Sequence, residues 1–222
     1  MGLLDDYKFG RVYDKEIPVE AAEEFSTLFG EGSPSLTKLI KYTIENRIKT
    51  LASCKGHPEK ENILDRIFSN GYISFVIDDD NYDFAYYLAS IPITNKGMYA
   101  MIDCTKYNVV TIHVPAYKKD LSEKYFDIIL NKIKEYQRIK ENKIPIEYNE
   151  EVSKIVDYSF SRPSSDEVFE ISSKGYKKII QNGFYIKTIS KCPIGKKTNL
   201  LHRIVNESLE KEEKIDKFIK DR

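Results

Sequence analysis

Between Asp120 and Glu141 the apolar residues Leu121, Tyr125, Ile128, Ile129, Ile133 and Tyr136 recur at helical spacing. A helix with one apolar stripe must lay that stripe on something. Asp120 and Glu123 have the spacing of a capping box that starts it. Immediately upstream, Met98 to Asp103 and Asn108 to Val114 read as two strands joined by a short polar connection. In the second of these, Val110, Ile112 and Val114 share one face and Val109, Thr111 and His113 the other, which puts His113 on the less apolar side. A long amphipathic helix next to a hairpin predicts an α+β fold: a small, mostly antiparallel sheet with helices on one face.

The rest of the chain extends that pattern. Pro18 opens a helix to Phe29, and Gly30-Glu31-Gly32-Ser33-Pro34 breaks it. A second helix runs from Ser35 with Leu36, Leu39, Ile40, Thr43, Ile44 and Arg47 on the 3.6-residue period, and Lys49 to Ser53 forms a short strand. Glu61 to Phe68 reads as a short helix and Tyr72 to Ile77 as a strand. Tyr82 to Ser90 fits either period, and Pro92 argues for an edge strand or a terminus. Asn142 to Tyr148, with Pro145, reads as a connector between residues 1–142 and a mainly helical portion over 143–222, whether separate or part of the same domain. In that portion Asn149 caps a helix to Phe160, Ser164 and Glu167 repeat the capping-box spacing for a helix ending at Gly183, and Phe184 to Ser190 is a strand. A final helix spans Thr198 to Lys220.

At 222 residues, with 41% hydrophobic content, 16 Tyr and 11 Phe, the chain can bury a core without disulfides. Its 35 acidic and 35 basic residues cancel, which removes the general electrostatic argument for nucleic-acid binding. A local basic face of Lys187, Lys191, Lys196, Lys197, His202 and Arg203 beside Tyr185 is the one candidate for backbone contacts. Three widely spaced cysteines, no signal-peptide pattern and no apolar run of membrane-spanning length point to the cytoplasm of a bacterium or an infected host cell. A homo-oligomer is compatible with these features.

The chemistry concentrates in Ser53-Cys54-Lys55-Gly56-His57, between a strand and a short helix. Ser53, Cys54, Gly56 and His57 are the candidate ligand-binding residues: glycine permits a tight path, and exposed amides beside a helix hold anions. Cys54 and His57 are also the minimum for a thiolate–imidazolium pair and so the candidate catalytic residues. The structural alternative is a buried Cys and a loop-capping His. Each Cys is followed by a His, as Cys54/His57, Cys104/His113 and Cys192/His202, and Cys-x-x-His is an acceptable zinc half-site. A second half-site at short spacing is missing, so no metal is expected from the spacing. Asp78-Asp79-Asp80-Asn81-Tyr82-Asp83 lacks the glycine and glutamate of a calcium loop and reads as a turn. Gly-x-Gly-x-x-Gly, Walker A and Gly-x-Ser-x-Gly motifs are absent, and no cofactor is expected.

Thr50-Leu51-Ala52-Ser53-Cys54-Lys55-Gly56-His57 followed by Tyr72-Ile73-Ser74-Phe75-Val76 resembles a stretch of uncharacterised bacterial and phage proteins. In those, a helix, a T-x-x-S-C-x-G-H strand-loop and a Y-[IV]-x-F strand follow in this order. The resemblance covers Leu36 to Ile77, about a fifth of the chain, and carries no assigned activity. The loop is also similar to the S-C-S-G-R loop of wybutosine-synthesis methyltransferases, with His57 in place of the Arg, which implies a small-ligand loop. The reading that follows is a small intracellular binding or regulatory protein of a phage or mobile element. Its Cys54/His57 loop would form a pocket for a small polar ligand or a protein-partner surface. The alternatives are a Cys/His-dependent enzyme on a small substrate and a nucleic-acid binder through Lys187 to Arg203.

Overall fold

The computed structural model describes residues 17–57, 70–78, 81–103, 108–116, 118, 120–161, 168–181 and 184–185. In chain order these form a short 3-10 turn Val19–Ala21, α1 Ala22–Phe29, α2 Pro34–Glu45, β1 Thr50–Cys54, β2 Gly71–Val76, α3 Tyr82–Thr94, β3 Tyr99–Asp103, β4 Val109–Val114, α4 Leu121–Glu141, α5 Glu150–Phe160, β5 Val168–Ser172, β6 Gly175–Gln181 and β7 Phe184–Tyr185. The strands make one sheet of order β1-β2-β4-β3-β5-β6-β7. Every neighbouring pair is antiparallel. The α+β class expected from the sequence is the class observed.

Alternation along the strands divides the sheet into two faces. Ile73, Phe75, Ala100, Ile102, Val110, Ile112 and Ile171 are fully buried or nearly so on the face that α3, α4 and α5 pack against. Phe75 meets Phe84 of α3 edge-to-face at 6.0 Å, and Phe84 lies 5.0 Å from Tyr136 of α4. The core is therefore one layer of helices on one layer of sheet. α4 runs over the predicted span, but its inward stripe is Phe126, Ile129, Leu130, Ile133 and Tyr136, rotated from the expected one, with Leu121, Tyr125 and Ile128 half-buried at its flank. Asn149 caps α5 as expected, its Oδ1 accepting from the Glu151 and Val152 amides at 3.0 and 3.1 Å.

Two readings are corrected. Tyr82–Thr94 is a helix with Pro92 inside it, not an edge strand. Phe84, Ala85, Leu88, Ala89, Ile91 and Pro92 are buried at helical spacing, and Pro92 sits in the last turn, where losing one amide interrupts little. The helix expected over 164–183 is instead, in its described part, the β5–β6 hairpin. Val168–Ser172 alternates with a period of two, and Gly175, at φ 101°, supplies the turn conformation that a helix interior would disfavour. β5 pairs with β3, so residues beyond the connector extend the same sheet. The helix expected over Glu61 to Phe68, the residues Ser164 and Glu167, the Gly183 stop and the helix from Thr198 lie outside the described residues.

The Asp120/Glu123 pair also acts differently from its spacing. Asp120 is left-handed, at φ 61°, and its side chain makes no cap bond. Glu123 Oε2 accepts from the Ser35 amide at 2.7 Å, at the N-terminus of α2, beside Ser33 Oγ accepting from the Leu36 amide at 3.1 Å. The carboxylate joins α4 to an orphan amide and the positive end of another helix. Glu123→Ala is expected to cost about 1.5–3 kcal/mol, the range for a hydrogen bond to a charged group. A urea unfolding curve checks this; a loss below half a kcal/mol would assign the cap to Ser33 alone.

Candidate functional site

Ser53 and Cys54 close β1, and alternation sends them to opposite faces. Ser53 pairs across from the core residue Ile73, and its hydroxyl donates to the Phe29 carbonyl at 3.2 Å, at the end of α1. It anchors the loop to the helix layer and stands apart from the donors below. Cys54 pairs across from Tyr72 on the other face. After it the chain turns through Gly56, whose φ of 85° is the left-handed conformation that favours glycine. The turn returns the Gly56 amide toward Cys54 Sγ, to which it donates at 3.4 Å, and places His57 Nε2 3.4 Å from the same sulfur.

A third side chain joins them from elsewhere in the sequence. Glu31 lies in the bend between α1 and α2 at φ 51°, a conformation a glutamate seldom takes, followed by Gly32 at φ 76°. Its Oε2 accepts from the Lys55 amide at 3.0 Å. One donor atom each from Glu31, Cys54 and His57 lies within 4.8 Å of the others, with Glu31 exposed and Cys54 and His57 half-buried. Two tethers, Ser53 to Phe29 and Lys55 to Glu31, therefore hold the β1 exit against the α1–α2 bend. Gly71 completes the backing: a Cβ there would come 2.8 Å from the Lys55 carbonyl oxygen and 2.9 Å from Val114 Cγ2, so only glycine lets β2 approach this closely.

Burial pushes the Cys54 thiol up, against a lowering contribution from the Gly56 amide, and nearby Glu31 pushes it further up. At neutral pH Cys54 is accordingly a thiol, because the lowering by the Lys55 charge is outweighed by burial and by Glu31. Tyr72, its cross-strand partner, is likewise raised, first by burial and then by the charges of Cys54 and Glu31. From Tyr72 an aromatic row crosses the sheet: His113 lies 5.7 Å from Tyr72 and stacks at 4.5 Å on Tyr99, with 7° between the planes. Burial pulls His113 down to about 4. It is on the face assigned from the sequence, as a neutral ring in a packed row.

Of the residues singled out, the structure brings Cys54, Gly56 and His57 together and turns Ser53 away. Glu31 was missed. Its only trace in the sequence is a glutamate between two glycines in a helix break, a position where glycine or asparagine is the ordinary choice. Of the acidic cluster, Asp78 pairs with Lys49 at 3.0 Å and Asp83 with Lys140 at 2.5 Å, the ordinary use of surface carboxylates. Cys104, Cys192, His202 and the basic residues Lys187, Lys191, Lys196, Lys197 and Arg203 lie outside the described residues. No helix among the described residues is long and apolar enough to cross a membrane. No family model, curated protein or solved structure matches the chain.

Proposed function

We propose that this chain is a small binding or regulatory protein whose ligand site is the Cys54–His57 turn together with Glu31. One observation carries this reading: three side chains of the types that bind ligands converge from two separate segments, with the backbone of each tied to the other. The raised thiol weighs against the enzyme reading, because covalent catalysis by cysteine needs the thiolate. The resemblance of residues 36–77 to bacterial and phage proteins supports a mobile-element origin.

Native mass spectrometry of protein purified without chelators, beside His57→Ala purified in the same way, tests the reading. The expected result is a mass carried by the wild type and lost in the variant, with melting temperatures nearly unchanged. A His57→Ala protein that retains any bound mass but unfolds about 1–2 kcal/mol more easily would make His57 a structural cap. Rapid alkylation of Cys54 near neutral pH would instead favour the enzyme.

A further inference from the structure

We infer that Glu31, Cys54 and His57 form a site for a borderline divalent transition-metal ion of the zinc class. The inference rests on the ligand-site reading above and names what that site takes. Zinc bonds of about 2.3 Å to sulfur and 2.0–2.1 Å to nitrogen, at the tetrahedral angle, require the two ligand atoms to stand about 3.5 Å apart. Cys54 Sγ and His57 Nε2 stand 3.4 Å apart. An ion therefore fits between them with almost no change in their separation, and the Glu31 carboxylate has an oxygen within 4.8 Å of both.

The donor set selects the metal. A thiolate and an imidazole are poor ligands for magnesium or calcium and good ones for zinc or cobalt. Two anionic donors and one neutral donor balance a divalent charge. The Gly56 amide already points at Cys54 Sγ at 3.4 Å, the outer hydrogen bond that steadies a metal-bound sulfur. Likewise Glu31 Oε2 accepts from the Lys55 amide, which orients the carboxylate beside Cys54. Binding converts the Cys54 S–H to thiolate, so one proton leaves to solvent for each ion taken up. The three donors among the described residues leave a fourth position to be filled.

The site is tested on tag-free, full-length protein stripped by dialysis and titrated with Co²⁺ and then Zn²⁺ against a competing chromophoric chelator. The expected result is one equivalent bound, with a near-ultraviolet sulfur-to-cobalt charge-transfer band that Zn²⁺ abolishes. Cys54→Ser should remove the band, and Glu31→Gln and His57→Ala should each weaken binding at least ~10-fold. Glu31→Gly keeps the test valid if those variants unfold: relief of the left-handed backbone offsets the lost tether to Lys55, so it should melt close to the wild type yet bind as poorly as Glu31→Gln. Absence of binding, or tight binding undiminished in Cys54→Ser, overturns the inference. If no metal binds but native mass spectrometry shows an organic ligand lost in His57→Ala, the ligand site survives and the metal does not. If wild type and variants carry nothing, both readings fall.

Discussion

Phe75→Ala should cost about 3–5 kcal/mol, the range for removing a fully buried phenylalanine. Phe75 is 0% exposed on β2, with its ring edge-to-face against Phe84 at 6.0 Å. Truncation leaves a cavity where the helix layer meets the sheet, and Phe84, already packed against Tyr136 at 5.0 Å, has little freedom to fill it. β2 also carries Tyr72, the cross-strand partner of Cys54, so loosening it should loosen the site. Urea unfolding by circular dichroism measures the loss, with Tyr176→Ala as a control at a residue 55% exposed. A Phe75→Ala cost below about 1 kcal/mol, similar to the control, would mean that the helix layer is not seated on this strand as described.

Acidification should have the second largest effect, and one residue should account for a measurable share of it. His113 ordinarily takes up its proton near 6.5 but in the folded protein only near 4, because burial disfavours the charged ring. Between those values the unfolded chain binds more protons than the folded one. Stability from this group is complete above pH 6.5 and is lost as pH falls from 6.5 toward 4, with a limit of about 3 kcal/mol. Among the described residues, the rings facing His113 across the sheet are those of Tyr72 and Tyr99, whose phenols stay neutral throughout that window. His113→Phe keeps an aromatic ring against Tyr99 and removes the titration. Its stability should therefore fall less steeply than that of the wild type over the same range. Parallel curves would show that His113 ionises in the folded state much as it does in the unfolded one.

Elements specified by nearby residues were legible. α4 runs over its predicted span, although its buried stripe is rotated, Asn149 caps α5 with its own side chain, and β3 and β4 pair as a hairpin. In each case the interactions that form the element are a few residues apart, so a short window of sequence contains them. The two misread segments show the limit of such windows. Pro92 left Tyr82 to Ser90 open between an edge strand and a terminus, because a window gives its missing amide full weight, whereas burial of Leu88, Ile91 and Pro92 settles a helix that runs past it. Ser164 and Glu167 suggested a helix start, but the residues that follow gain more from pairing β5 with β3, more than sixty residues back in the chain.

The candidate site divides along the same line. Cys54, Gly56 and His57 could be singled out from the sequence because a three-residue turn with a glycine brings the two reactive side chains together by itself. Glu31 could not, because its distance from Lys55 is set by how α1 and α2 seat against the β1 exit. Glu123 is the parallel case: its spacing to Asp120 suggests a cap on α4, while its carboxylate serves Ser35, 88 residues away. The sequence by itself therefore determined the local elements, the α+β class and the reactive turn. Only the tertiary structure decided the third donor, the role of Glu123, the sheet order and the suppressed ionisation of His113. Each of those depends on burial or on long-range approach, and neither is a property of a short segment.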